Sequence, residues 1–228
     1  MLLQPREIKW RLASLFLAFT AMVLMAANAW ADHSPGTGGR MVSAIQFRII
    51  GFDPTRLLPN AGGRRSVLSA IYERLFDTDP VTNELVPLHG LSVAPADDFK
   101  KWRVQLRQGV KFSNGEELTS AAYTVHFDRI LNSRTVKGPY RNMMGAFLER
   151  VVAVDKYTIE FQFRTPHPGF DKILGAPLIP WYVAAPGFVK TNAKKPGFNQ
   201  MSVGAGPYML KEFRGGTGAT LVRNPHYW

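Results

Sequence analysis

Apolar and polar residues alternate along several short segments of the chain, and this two-residue spacing predicts β-strands with one buried face. Turn residues separate neighbouring segments in two places, around Asp155 and Lys156 and around the glycine-rich stretch RGGTG, so a hairpin is predicted at each. The predicted strands cover 44–50, 102–107, both halves of 150–163, and the pair 206–213 and 219–224.

Apolar side chains at three- and four-residue steps predict amphipathic helices in two places. The first helix is expected over 64–80 and is closed by the proline at its end. The second is expected to begin at a Thr119 or Ser120 cap and to run through Leu131. A short helix is expected to end at Leu174. Because these helices and strands mix without strict alternation, the sequence predicts a mixed α/β domain.

The first 31 residues have the parts of a secretory signal, which are a basic head, an apolar run over 12–27 and small residues before a cut. We expect cleavage after Ala31, a flexible leader over 32–40 and ordered chain from about residue 41. An uncleaved membrane anchor is the alternative for the first segment, although its apolar run is short for a spanning helix. The exported protein is expected to be soluble outside the cytoplasm.

The composition narrows the class of protein further. A chain of 228 residues can form one sizeable domain, and it contains no cysteine, so disulfides, thiolate metal sites and thiol nucleophiles are excluded. The net charge is +11, and the predicted exported part keeps +9 from 25 basic and 16 acidic residues. Basic residues occur in scattered pairs, which favours a solvated basic surface. A polyanion-binding domain is the alternative.

No catalytic constellation is predicted from the sequence. The histidines lack the spacing of a zinc helix, although a histidine site assembled by folding stays open, and no Gly-x-Ser-x-Gly motif is present. GAGPY at 204–208 lacks the Lys-Ser/Thr end of a phosphate-binding loop, and its proline removes an amide donor. This stretch is instead expected to fix a tight backbone path, with Tyr208 packed inward. The protein is therefore predicted not to be an enzyme.

Several motifs in a fixed order resemble the extracytoplasmic solute-binding proteins of family 5, the peptide- and nickel-type receptors of ABC importers. The resemblance covers 41–228. Each motif alone would be weak, but their common order makes chance similarity improbable. The motifs are YERL, WRVQLR, GVKFSNGEELT, VVAVDKYTIEFQFRTPHPGF, VGAGPYMLKEF and LVRNPHYW.

The resemblance implies a periplasmic-binding-protein-like fold, in which two lobes close on a ligand held between them. It assigns 41–228 to part of the N-terminal lobe, with a mixed sheet and hairpins, and implies a truncated chain in which the second lobe is missing. Without the second lobe, the cleft would have one wall and could not enclose a ligand.

The function implied by the resemblance is substrate binding for an ABC import system, for peptides or similar small solutes, without a cofactor or bound metal. The implied partners are the ligand and the permease and ATPase of the transporter, and no nucleic acid is expected. The receptor is expected to be a periplasmic monomer that meets the membrane only through the transporter.

Two segments supply the candidate ligand-binding residues. The first lies in 51–60, which the resemblance places at the cleft. The second lies in 137–147, where aromatic and soft side chains can adapt to varied ligands and an arginine could meet a carboxylate. The alternative for the second segment is that its methionines fill gaps in the core. The candidates are Asp53, Pro54, Thr55, Tyr140, Arg141, Asn142 and Met143.

Overall fold

The computed structural model describes residues 38–45, 48–56, 62–176, 181–215 and 217–228, with the backbone alone for 62–65. Residues up to Ala44 form one unit and Ile45–Trp228 another. The described part of the first unit is exposed and contains no helix or strand. The predicted signal and most of the predicted leader lie outside the described residues.

Eight strands occur in the described residues, and they form three antiparallel sheets. They are β1 Phe76–Thr78, β2 Leu85–Pro87, β3 Gly90–Ala96, β4 Lys101–Leu106, β5 Leu148–Asp155, β6 Thr158–Phe163, β7 Tyr208–Arg214 and β8 Gly218–Arg223. The central sheet has the order β3-β4-β6-β5, while β1 pairs with β2 and β7 with β8. The β5-β6 and β7-β8 pairs confirm both hairpins predicted from alternation.

The mixed α/β class is confirmed, but the strand directions differ from the expected mixed sheet. Every strand pair among the described residues is antiparallel. The strand predicted over 44–50 is wrong at its described positions, which lie in no strand, while 46 and 47 lie outside the described residues. The backbone groups of Ile50 and Phe52 bond to Asn199 instead of to a neighbouring strand.

Five α-helices and two 3-10 turns complete the described part of the larger unit. The helices are α1 Gly62–Tyr72, α2 Ser120–Asn132, α3 Pro139–Phe147, α4 Phe170–Leu174 and α5 Pro186–Asn192, and the turns are Pro54–Arg56 and Phe198–Gln200. The predictions of α2 and of the helix ending at Leu174 are confirmed. The first predicted helix is wrong beyond Tyr72, because Glu73 has a φ of 49° and the chain then enters β1.

The main hydrophobic core lies between the central sheet and α2. Alternate side chains of β4 and β6, such as Val104 and Phe161, are fully buried there. Phe127 of α2 meets Phe161 edge-on with 5.6 Å between ring centroids, and Trp181 lies 5.8 Å and 5.5 Å from these two rings. Burying each such aromatic side chain is worth about 1.5–3 kcal/mol, so this contact fixes α2 on the sheet.

A close backbone approach joins the end of α1 to the GAGPY stretch. The amide of Gly206 donates to the carbonyl of Ile71 at 2.8 Å. A Cβ added at Gly204 would lie 2.1 Å from the carbonyl oxygen of Ile71, and one added at Gly206 would lie 2.6 Å from that of Ala70. Only glycine allows this approach without displacement of the backbone. The predicted tight backbone path is thereby confirmed.

Tyr208, which follows this path, was predicted to pack inward, and this prediction is wrong. Its side chain is 43% exposed. β7 instead packs Leu210 and Phe213 against the second group of buried apolar residues, which includes Phe52. The ring of Phe213 lies edge-on to that of Phe52 at 5.0 Å. Leu210 and Phe213, and not Tyr208, are therefore the β7 side chains that pack toward the interior.

The last residues of the chain return to Glu73, directly after α1. The Glu73 carboxylate accepts hydrogen bonds from the Tyr227 hydroxyl at 2.7 Å and from Trp228 Nε1 at 2.9 Å, and it lies 3.0 Å from His89 Nε2. Arg107 lies over the Trp228 ring at 4.3 Å. Burial alone would raise the pKa of Glu73, but these donors hold it below its usual value. The carboxylate is therefore anionic at neutral pH and ties these segments together.

Gly206→Ala tests the close approach to α1. We expect it to lower the free energy of unfolding by about 1–3 kcal/mol, because the added methyl group forces the backbone apart. Gly145→Ala in α3 is the control, since no described atom beyond its chain neighbours and the nearby backbone of its own helix lies within 4 Å of the added Cβ. This control is expected to leave stability unchanged or to raise it by up to about 1 kcal/mol. Urea unfolding measures both, and a Gly206→Ala midpoint equal to that of the parent chain would contradict the account.

Candidate functional site

The structure brings the two groups of sequence-predicted site residues into neighbouring elements. Asp53 directly precedes the 3-10 turn that contains Pro54 and Thr55, and this turn lies beside both α2 and α3. α3 carries Tyr140, Arg141, Asn142 and Met143. Residues in neighbouring elements can still be buried or bonded within the fold. The burial and hydrogen bonds of each side chain therefore show whether it can reach a ligand.

Asp53 is buried and forms a two-pronged ion pair with Arg129 of α2. Arg129 Nη2 lies 3.0 Å from Asp53 Oδ2, and Nη1 lies 3.3 Å from Oδ1. The amide and hydroxyl of Thr55 also donate to Oδ1, at 3.0 Å and 2.8 Å. Burial alone would raise the pKa of Asp53, but Arg129 and Thr55 outweigh burial and lower it. Asp53 is therefore ionised, and Arg129 and Thr55 already occupy most of the acceptor positions of its carboxylate.

Asn199 fixes the segment before Asp53 to the second 3-10 turn. Its side chain accepts the Asp53 amide proton at 3.1 Å and donates to the Ile50 carbonyl at 2.9 Å. Gly51 has a φ of 153°, and a Cβ there would lie 2.0 Å from the Asn199 side chain. The neighbouring Phe198 ring lies 5.1 Å from the Arg129 guanidinium. These contacts hold the turn, the ion pair and α2 in one arrangement.

The side chains of the second predicted group make mostly internal contacts. Tyr140 is buried, and burial raises its pKa well above the usual value. Arg141 donates to the carbonyls of Ser133 and Val136 at 2.8 Å and 2.9 Å and to that of Leu131 at 3.2 Å. Its guanidinium thus closes the C-terminal end of α2. Asn142 is exposed, and Met143 packs partly against the main core.

A cleft of about 930 Å³ opens beside the Asp53–Arg129 pair. Its walls come from the first 3-10 turn, from α2, and from the segment that runs from α5 to the second 3-10 turn. Among the seven predicted residues Asp53 lines this cleft and the other six do not. Six of its lining residues are Asp53, Arg129, Lys190, Lys194, Phe198 and Asn199.

Sequence reasoning missed most residues of this cleft. Arg129 stands 76 positions after Asp53, and no local spacing signals that the two side chains pair. Lys194 was noticed only as half of a basic pair, while Lys190 and Asn199 carried no signal of their own. The available signal was a four-residue spacing, which separates Lys190 from Lys194 and Lys194 from the apolar Phe198 of the same cleft.

His126 lies on α2 near the ion pair and is buried. Its pKa is lowered from 6.5 to about 3 by burial and by the charge of Arg129, against the weaker opposing effect of Asp53. The imidazole is therefore neutral in the folded protein at physiological pH.

The described residues contain no group of three or more metal-binding side chains that could hold an ion. None of their helices has the length and apolar character required to cross a membrane.

The class of the fold is that of periplasmic binding proteins. A crystal structure of a dipeptide-binding protein from Pseudoalteromonas sp. SM9913, solved in complex with Met-Leu, superposes with a TM-score of 0.70 at 21% identity. The match covers 81% of this chain and 39% of that protein. At this identity the likeness defines the fold alone.

The family is defined by the sequence itself. The family model described as bacterial extracellular solute-binding proteins, family 5 Middle, matches residues 84–228. The chain belongs to this family, as the order of its motifs predicted.

Two curated relatives agree with this assignment. Protein XP55 of Streptomyces lividans is 32% identical over 218 residues, which are 91% of this chain and 38% of that relative. The probable D,D-dipeptide-binding periplasmic protein DdpA of Escherichia coli K12 is 33% identical over 140 residues, or 58% of this chain and 25% of that relative. The chain thus spans well under half the length of these relatives.

Asp53→Asn tests the buried ion pair. The substitution leaves the Arg129 charge without its counter-ion, so we expect a loss of about 2–4 kcal/mol in the free energy of unfolding. Asp97→Asn is the matched control, because Asp97 pairs with Lys101 at 2.9 Å on the exposed surface. Its cost should stay below about 1 kcal/mol. Equal losses in the two variants, measured by urea unfolding, would contradict a special role for Asp53.

The buried His126 predicts a loss of stability in weak acid. Its folded-state pKa is about 3 and its ordinary value 6.5, so the unfolded chain binds the proton more readily and stability falls as pH drops from about 6.5 towards 3. At pH 5 this loss amounts to about 2 kcal/mol relative to neutral pH. His126→Gln should reduce the pH dependence of urea unfolding. An identical pH dependence in this variant and in the parent chain would refute the assignment.

Proposed function

We propose that this chain is part of the substrate-binding component of an ABC import system, with peptides or similar small solutes as its ligands. The observation that carries the proposal is the family match over 84–228, which includes the central sheet, α2 and the part of the cleft wall formed by 189–199. A protein of the same fold was crystallised with a dipeptide, and one curated relative is named for dipeptide binding. These names support peptides as the first ligands to test.

The structure supports a binding role through the rigidity of its lobe. The aromatic core fixes α2 on the sheet, and the Asp53–Arg129 pair fixes the first 3-10 turn to α2. A receptor that closes on its ligand needs lobes that move as rigid bodies, so that closure changes their relative position and leaves each fold intact. The described lobe has the internal contacts that such a rigid body requires.

The proposal includes the location and the partners of the protein. The receptor acts outside the cytoplasmic membrane after removal of a signal peptide that ends at Ala31. It works as a monomer, delivers its ligand to the permease of the transporter, and depends on the ATPase for import. The periplasmic location given in the name of a curated relative supports this arrangement.

Deletion of the gene tests this function. In an auxotrophic host, we expect the deletion to reduce growth on di- and tripeptides that supply the required amino acid, while growth on the free amino acid is unchanged. Reintroduction of the gene should restore growth on peptides. Loss of uptake of another solute, such as a nickel complex or a sugar, would refute the peptide assignment and keep the receptor role. Unchanged uptake of every solute class would refute the receptor role as well.

A further inference from the structure

The cleft beside Asp53 carries an excess of positive charge. Five basic side chains line it, and they face two carboxylates, Asp53 and Asp128. Asp53 is committed to Arg129 and Thr55 and also lies 3.8 Å from Arg56 Nε, and Asp128 accepts a hydrogen bond from Asn132 at 2.8 Å. The basic residues of the lining are Arg56, Arg129, Lys190, Lys194 and Lys195.

The three lysines supply charge that no protein carboxylate neutralises. Among the residues that the structure describes, Lys190, Lys194 and Lys195 form no ion pair. Lys195 Nζ donates to the Asn192 side chain at 3.1 Å, which keeps it at the cleft wall. Arg129 differs from these lysines because Asp53 already balances its charge. The free positive charge of the cleft therefore belongs mainly to the segment 190–195.

An apolar surface adjoins these lysines. Val189, Ala193 and Phe198 line the same cleft, and Val189 and Phe198 are also part of the second group of buried apolar residues. Phe198 is held in place by stacking on Phe188 at 5.4 Å and by the Arg129 guanidinium at 5.1 Å. A fixed apolar wall next to exposed ammonium groups suits a ligand that has both an apolar part and an anionic part.

Helix electrostatics does not account for this charge. Basic residues are favourable in the last turn of a helix, where carbonyl groups lack partners. This explains Lys190, which lies in the last turn of α5. Lys194 and Lys195 lie beyond the end of α5, yet they line the same cleft. Their convergence with Lys190 on one concave surface is the observation on which the inference of a ligand rests.

We propose that this cleft binds a small organic carboxylate, whose anionic group meets Lys190 and Lys194 and whose apolar part lies against Val189 and Phe198. The apolar wall favours an organic acid over an inorganic anion, and the concave shape favours a small molecule over an extended polyanion. The proposal deepens the proposed solute-binding function and rests on it for its biological meaning. The two can fail separately, because binding to the purified chain does not require the transporter.

N-acetyl-phenylalanine and N-acetyl-phenylalaninamide test the proposal, because they differ in the carboxylate and share the apolar ring. In a ¹H–¹⁵N NMR titration of the 228-residue chain, we expect the acid to bind with a Kd of about 1 mM and to shift the amides of Val189, Ala193 and Phe198. Lys190→Gln/Lys194→Gln should weaken binding of the acid about fivefold or more. The exposed pair Lys100→Gln/Lys211→Gln removes the same charge elsewhere and should preserve binding.

Four results would overturn the proposal. The first is the absence of saturable binding of the acid up to about 10 mM. The second is equal binding of acid and amide, which would leave the lysines without a role. The third is equal weakening by the two double variants, which would indicate attraction to the overall charge of the protein. Binding of heparin that both double variants weaken equally would likewise favour a polyanion surface over this cleft.

Discussion

The contact between the GAGPY stretch and the last turn of α1 is the constraint on which the rest of this fold depends. The backbone of Gly204 and Gly206 touches that of Ile71 so closely that no Cβ fits. On one side of this contact Ala205 is buried in the main core, and on the other side β7 packs Leu210 against the second group of apolar residues. One short segment therefore determines how the two groups of buried residues are joined.

Glu73 extends this constraint to the end of the chain. Because α1 stops at Tyr72, the Glu73 carboxylate projects toward His89, Tyr227 and Trp228 instead of continuing a helical face. Glu73 of YERL thereby joins Tyr227 and Trp228 of RNPHYW, while GAGPY lies against the end of α1 directly before Glu73. The three motifs therefore contribute to one set of contacts, which gives a physical reason for their occurrence in the same sequence.

The sequence predicted the elements whose pattern is local. The β5-β6 hairpin follows from strict alternation around Asp155, and α2 follows from its helical spacing. The first helix was predicted too long because Leu75 and Phe76 continue the same spacing. Their side chains are buried in a different part of the core, which a one-dimensional pattern cannot distinguish from one helical face. β3 escaped prediction because apolar and polar residues do not alternate regularly along GLSVAPA.

The candidate site shows where sequence reasoning stops. Asp53 was selected because the family resemblance places its loop at the cleft, but its contacts depend on Arg129, which only the packing of α2 brings near. Arg141 was a plausible partner for a carboxylate until the structure placed three backbone carbonyls around it. The sequence does not distinguish the two arginines. In the fold, Arg129 pairs with the Asp53 carboxylate and Arg141 donates to backbone carbonyls.

The charged residues of the cleft are of two kinds: Arg129 is paired within the fold, whereas the lysines are exposed to solvent and can attract an anion. An ion pair as buried as Asp53–Arg129 gains little net stability over an apolar pair, because desolvation offsets the attraction. Its effect is to fix one geometry, since the carboxylate also holds Thr55 and the guanidinium also contacts Phe198. With Arg129 neutralised in this way, the electric field in the cleft comes chiefly from lysines that remain hydrated. Such a field attracts an anion without committing the fold to it, because among the described residues these lysines form no ion pair.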